Sequence, residues 1–319
     1  MKILGMLLVT ATFLAAEPRY NGCWNITVTG EPRARAWWLE VTGAGTGDLR
    51  GRFVGAPGGQ MDAIPKISIA PDGELVFVFE RGYRRPADDT SPKQPSKGVY
   101  RGRLEGDKLT GTFEVEGRPE TRLTWSGVRA PVIREKDDGS WRASKPVELF
   151  NGRDLSGWKV RVAGRPMAWK VEDALLKNVP PATDIISEAN FWNFRLQAEY
   201  RLSKGSNSGI GLRGRYEVQI YEDHGRTPDG HSNGALYSRI VPSVNASRPA
   251  GEWQTFDVML IGRTVTVVLN GTKIIDRQEV EGLTAIASDP NEAEPGPFIL
   301  QGDHGPVEFR KFTVTPLVK

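Results

Sequence analysis

Apolar and polar residues alternate through most of this sequence in short runs that end at Gly, Pro, Asn or Asp, and no stretch keeps a helical period over three turns. The pattern predicts an all-β protein. Between residues 20 and 129 it predicts roughly eight strands, among them 36–41, 49–54, 66–70, 74–79, 99–104, 109–115 and 121–125. Their even spacing favours a small antiparallel barrel or sandwich, because closure hides the strand edges. Residues 130–145, APVIREKDDGSWRASK, are charged and aperiodic and read as a linker. A second β domain then runs over 146–319.

In that second domain, FRLQAEYRL places Phe194, Leu196, Ala198, Tyr200 and Leu202 on one face and charged or polar residues on the other. WQTFDVMLIGRTVTVVLNGTKIID holds three strands, with turns at Gly262-Arg263 and Asn270-Gly271. Asn-Gly between alternating runs is a strong hairpin signal, since both residues accept the positive φ of a type I′ turn. Trp253 followed by these strands resembles concanavalin-like and laminin-G-like jelly rolls, which implies a two-sheet sandwich with a concave face. Gly22-Cys23-Trp24 resembles the G-x-W of lipocalin-like barrels, with Trp24 expected in the core.

The most informative stretch is NSGIGLRGRYEVQIYEDHG, residues 207–225. A hairpin has to keep one core face, and a three-residue loop at 213–215 does so by setting Leu212 opposite Tyr216 and Ile210 opposite Val218. Gly211 then faces Glu217, and Gly209 faces Gln219. Glycines weaken a strand, so something should offset them. Two readings stand: they clear room for a ligand before Glu217, Gln219 and Arg213, or they mark a bulge on an ordinary solvent face.

The chain has three histidines, His224, His231 and His304, all in glycine-rich loops of the second domain. A carboxylate and an imidazole in one site can divide base and acid roles near neutral pH. The sequence contains no H-E-x-x-H, C-x-x-C, G-x-S-x-G or EF-hand spacing and no glycine loop for phosphate. No cofactor is expected; a divalent metal on Glu222, Asp223, His224 and His231 is the weaker alternative, since hard and soft ligands mix there.

Composition narrows the setting. Residues 1–16, MKILGMLLVTATFLAA, have one lysine, an apolar run too short to span a bilayer and small residues at the end, and read as a cleaved signal peptide. A buried strand or membrane anchor is the alternative. The single cysteine, Cys23, cannot form an internal disulfide, and Tyr20, Asn21 and Gly22 before it do not make a lipid attachment site. A periplasmic or secreted protein is expected, with no later transmembrane segment. The net charge of +3 loses Lys2 with the leader, a mixed surface that excludes a nucleic-acid footprint. Oligomeric state is not readable.

With LFNGRDLSGW, SNSGIGLRGRYEVQIYEDHG, GALYSRIVPSVNASRPAGEWQTFDV, VVLNGTKI and QGDHGPVEFRKFTVTPL in this order, the second domain resembles the 3-keto-disaccharide hydrolase domain family. The resemblance implies a concanavalin-like jelly roll acting on glycosides whose C3 hydroxyl is already a ketone. Such a ketone acidifies the C2 proton, so a base can remove it, the C1 substituent leaves, and water adds back. Direct hydrolysis by two carboxylates, with Glu199 or Asp223 beside Glu217, is the alternative. On this reading Glu217 and His304 are the catalytic base and proton donor in either order, and Arg213 and Gln219 bind sugar oxygens. Asn207, Asp223, Tyr237 and Asn245 are rim contacts. Arg310 falls on the core side of strict alternation, which requires either a bulge or a buried structural arginine. EGLTAIASDPNEAEP departs from the family pattern and reads as a solvated surface insertion, or else as a cover for the site or a partner contact. A non-catalytic carbohydrate-binding protein and a structural surface module are the competing functions; the first domain would be a sugar-binding or docking barrel in any of them.

Overall fold

The computed structural model describes residues 17–31, 33–55, 59–83, 95–178 and 182–319. The expected signal peptide lies outside them. Among the described residues no helix is long and apolar enough to cross a membrane. The chain divides into two units, one formed by the residues up to Glu31 with Trp37–Ala130, the other by the short segment ending at Ala36 with Pro131–Lys319.

The first unit is one antiparallel sheet of nine strands: β1 Gly22–Thr29, β2 Ala36–Thr42, β3 Arg50–Val54, β4 Met61–Ala63, β5 Lys66–Ile69, β6 Leu75–Arg81, β7 Ser96–Glu105, β8 Lys108–Val115 and β9 Arg118–Arg129. Its order, β4-β3-β2-β1-β9-β8-β7-β6-β5, is a meander that pairs β1 with β9 and leaves β4 and β5 unpaired to each other. Trp24 is fully buried and its indole N–H donates to the Tyr20 carbonyl at 2.9 Å. Phe77 stacks on Tyr100 with centroids 4.5 Å apart at the centre of an aromatic core.

The second unit is a two-sheet jelly roll. Its strands are β10 Arg142–Ala143, β11 Val147–Glu148, β12 Trp158–Val160, β13 Trp169–Glu172, β14 Leu175–Asn178, β15 Ile185–Phe191, β16 Phe194–Leu202, β17 Asn207–Leu212, β18 Tyr216–Tyr221, β19 Gln254–Ile261, β20 Thr264–Leu269, β21 Thr272–Glu279, β22 Gly296–Leu300 and β23 Val307–Val318. The larger sheet runs β13-β14-β23-β16-β19-β20-β21, with β10 and β11 also on β23; the smaller runs β12-β15-β22-β17-β18. The inner faces share one core, in which Phe298 of the smaller sheet meets Phe194 and Phe312 of the larger at 4.8 and 5.4 Å. Asn270 and Gly271 both take positive φ, 52° and 83°, and close the β20–β21 hairpin.

Two sequence expectations change here, and the alternative left open at Arg310 is decided for the bulge. Residues 131–143 belong to the second unit, and their last two, Arg142 and Ala143, pair as β10 with the end of β23. EGLTAIASDPNEAEP is no solvated insertion: Leu283, Thr284, Ile286 and Ala287 are buried, and fully buried Glu292 accepts from the Tyr216 hydroxyl at 2.7 Å and from Arg263 at 2.8 Å. Arg310 sits at a register shift between β16 and β23, where Glu199 pairs Lys311 but Tyr200 pairs Phe309. The bulge turns Arg310 outward, over the Trp253 ring and onto Glu199 at 2.6 Å.

Candidate active site

β17 and β18 pair in the register that alternation requires: Leu212 with Tyr216, Ile210 with Val218, Gly211 with Glu217 and Gly209 with Gln219. Ile210, Leu212, Tyr216, Val218 and Ile220 therefore enter the core, and Glu217 and Gln219 occupy the other face. The Glu217 backbone is held from two sides, its N–H donating to Thr284 Oγ1 at 2.9 Å and its carbonyl accepting from Tyr237 N at 2.9 Å.

The glycines make room, though not for a ligand. A Cβ on Gly209 would lie 2.5 Å from Glu217 Oε1, so the missing side chain is the space into which Glu217 folds across the neighbouring strand. A Cβ on Gly211 would lie 2.9 Å from Ile299 Cβ and 3.3 Å from Ile286 Cδ1; this gap admits packing from above. Glu217 is consequently only 3% exposed. Burial pushes its carboxyl up to about 7, against the downward pull of His304, Arg33 and Arg161 and with a further push from Asp184.

His304 reaches the same field from the QGDHG loop after β22. Asn178 staples that loop, donating to the Gly302 and Gly305 carbonyls at 3.1 and 2.7 Å and accepting from Val307 N at 2.7 Å. Bare backbone at Gly305 allows close approach to Ser206 and Asn207. His304 Nδ1 lies 2.6 Å from Asp303 Oδ1. An ionised carboxylate only accepts, so Nδ1 carries the proton and Nε2 is left free. The bond to Asp303 raises the imidazole above its ordinary value despite partial burial, helped by the charges of Asp303, Glu217 and Asp184. Burial works to raise Asp303, but the bond and charge of His304 and the charge of Arg33 outweigh it and hold it below the usual range.

Behind this pair lies a cluster that no sequence motif disclosed. Asp184, buried just before β15, accepts from Arg33 at 2.6 Å, Arg161 at 3.0 Å and the Gly302 N–H at 3.2 Å. Arg161 follows β12 and sits across from Asp184, which accounts for their meeting, and it also donates to the Ile286 carbonyl at 2.9 Å. Burial lowers Arg161 to about 10, still charged at neutral pH.

The expected rim residues divide into two groups. Gln219 lies beside Glu217: with its amide nitrogen toward the carboxylate it donates to Glu217 Oε1 at 3.2 Å and to the Ser208 carbonyl at 3.3 Å, leaving its oxygen 3.2 Å from the Asn207 side chain. Tyr237 lies across from Glu217 on a segment bridged to β18, with its hydroxyl 3.0 Å from His231 Nε2. Arg213, expected on the sugar, is instead fully buried at the far turn of the hairpin, donating to the Trp192 carbonyl at 2.6 Å with its guanidinium 3.8 Å over the Trp192 ring. Asp223 spends its carboxylate on Asn233 N and Ser247 Oγ, and Asn245 ties the Asp223 and Arg226 carbonyls, so both are loop fasteners. Arg310 and Glu199 pair on the outer face of the larger sheet, whereas Glu217 belongs to the smaller one.

Of the residues named for a metal, Glu222 accepts from Gly205 N, His224 meets the Ser247 carbonyl, and His231 lies against Tyr237. Among the described residues no three His, Cys, Asp or Glu side chains converge as a metal site.

Residues 145–315, more than half of the chain, match the family model described as the 3-keto-alpha-glucoside-1,2-lyase-like domain. A 3-keto-disaccharide hydrolase of Bacteroides thetaiotaomicron is 24% identical over 166 residues, 41% of this chain and 57% of that protein. The chain thus spans a little over half the length of that relative. Two proposed glycosyl hydrolases of Parabacteroides distasonis with solved structures are 27% and 22% identical, with TM-scores of 0.48 and 0.46; the matches cover 58% and 54% of this chain and 91% and 94% of theirs. The span from just before β11 to the closing strand β23 carries Glu217, Asp303 and His304, and by that match the chain belongs to the 3-keto-alpha-glucoside-1,2-lyase-like domain family.

Proposed function

We propose that the second unit is an exported enzyme that cleaves 3-keto-glycosides by elimination across C1 and C2 followed by hydration. The observation that carries this reading is the charge coupling, outside the core of the smaller sheet, of a buried carboxyl held near pH 7 to a histidine anchored through Nδ1. The roles follow from exposure. His304 is half exposed and offers Nε2, so it is the base; Glu217 is buried and holds a proton up to about pH 7, so it is the donor.

The ketone at C3 takes up the electron pair when His304 removes the C2 proton. The enolate re-forms its carbonyl, C1–C2 becomes a double bond and the C1–O bond breaks, with the Glu217 proton passing to the departing oxygen. Water then adds at C1 while Glu217 takes its proton, and His304 returns a proton to C2. The net products are a 3-keto sugar and the free alcohol. Asn207 supplies a neutral amide for a sugar hydroxyl, while buried Gln219 holds Glu217 and faces the Asn207 side chain. No cofactor enters, because the oxidation has already taken place in the substrate. The leader at 1–16 and the name of the Bacteroides relative support export and substrate class.

The test offers the purified protein matched pairs of glucosides with and without the C3 ketone and follows release of the alcohol. Release from the keto member alone is the expected result. Release from both would point to direct hydrolysis, and binding of plain glycans with no release to a lectin.

A further inference from the structure

Arg33 is more than a hundred residues away from the family span 145–315, yet its guanidinium stands inside the charged cluster. One nitrogen donates to Asp184 Oδ2 at 2.6 Å and another to Asp303 Oδ2 at 3.2 Å. Asp303 therefore divides its oxygens, Oδ2 to Arg33 and Oδ1 to His304 Nδ1. A half-exposed carboxylate with one partner can turn about its terminal bond; one gripped at both oxygens cannot, and the imidazole it holds keeps one tautomer and one tilt. The post to which Arg33 is tied is itself rigid, since Asp184 is buried and also grips Arg161 and the Gly302 N–H. Planarity matters, because only a guanidinium presents two nitrogens in a fixed fork to two carboxylates.

We propose that Arg33, supplied from outside the family domain, is a positioning residue of this site that bridges Asp184 to Asp303 and so fixes the Nδ1–H tautomer and aim of His304. The catalytic part of this inference rests on His304 being the base, while the structural part does not. A domain cut at residue 145 would retain every residue of the family match and still have a loosened histidine.

The experiment uses the full chain with Arg33→Gln and Arg33→Lys. The nitrogen shifts of its three histidines are read by NMR, with His304 assigned through His304→Gln. In Arg33→Gln the two His304 nitrogens should move toward tautomer-averaged values, and kcat on a 3-keto-glucoside should fall about 100-fold with KM little changed, as expected when a group is misplaced and not lost. The basic limb of the pH profile should also move to higher pH, because Glu217, which faces His304, Asp184, Arg33 and Arg161, loses one of its cations. Arg33→Lys should restore that limb, keeping the charge, but recover only part of kcat and of the tautomer. The nitrogen shifts need no substrate, so they answer even if keto-glycosides prove not to be turned over. Unchanged His304 shifts in folded Arg33→Gln overturn the proposal; should that variant not fold, unchanged shifts in Arg33→Lys do so.

Discussion

Replacing Glu217 with Gln is expected to slow cleavage of a 3-keto-glycoside bearing an alkyl alcohol by about 100- to 10,000-fold, the usual worth of a positioned proton donor. The same variant should cleave a p-nitrophenyl 3-keto-glucoside at a nearly intact rate. Gln matches Glu in shape and still accepts from Gln219, so the site keeps its geometry. What it cannot do is transfer a proton to a departing oxygen. An alkoxide requires that proton and p-nitrophenolate does not, so the leaving group decides the size of the defect. His304→Gln should abolish both reactions, because no aglycone compensates for the loss of the base. Matched initial rates on the two substrates check this. An equal loss on both would reassign Glu217 to proton abstraction, and full activity on the alkyl substrate would remove it from the reaction.

The same substitution should stabilise the protein, and only above mildly acidic pH. A carboxyl raised from 4.5 to about 7 on folding binds its proton more tightly in the native state. The native protein therefore loses stability as pH climbs through that window and bears the whole cost above it, on the order of 3 kcal/mol from the conversion of pKa shift to free energy. His304 acts in the same direction: its folded value is raised, so its contribution is complete below its ordinary value of 6.5 and is lost as pH rises through the folded one. Asp303 is depressed and acts oppositely, losing its contribution as pH falls below 3.8. Together these three groups contribute most between 3.8 and 4.5, near pH 4. Urea midpoints of wild type and Glu217→Gln should nearly coincide at pH 4 and separate progressively toward pH 8, with the variant the more stable. A gap that does not change with pH would mean that Glu217 does not ionise within the fold as described. Such a gain at the expense of turnover is the expected mark of a strained catalytic group.

How far the sequence foretold this site depended on whether a signal was local. Alternation fixed the β17–β18 register because a one-residue slip would have sent Glu217 into the core and Val218 out. Asn270-Gly271 was legible because only a few residues tolerate two positive φ values in succession. The glycines were legible as missing side chains, but what fills the space is a tertiary fact: at 209 it is Glu217 itself, at 211 it is Ile299 and Ile286. Arg213 looked like a ligand for sugar because a charge in a polar turn is normally solvated; burial against Trp192 depended on residues the hairpin does not contain. Arg33, Arg161 and Asp184 were invisible for the same reason. They meet across 151 and 23 positions of sequence with no motif around any of them, and only the assembled sheet brings them to Asp303.

The account stands on His304 taking the C2 proton before the C1 bond is lost, and hydrogen exchange at that carbon tests it most directly. Wild type turning over a 3-keto-glucoside in deuterated water should release 3-keto-glucose with deuterium at C2, well above the level reached by 3-keto-glucose incubated alone. His304→Gln should incorporate none. Sugar released at full rate with its original hydrogen at C2 would contradict elimination and place the cleavage at C1 alone.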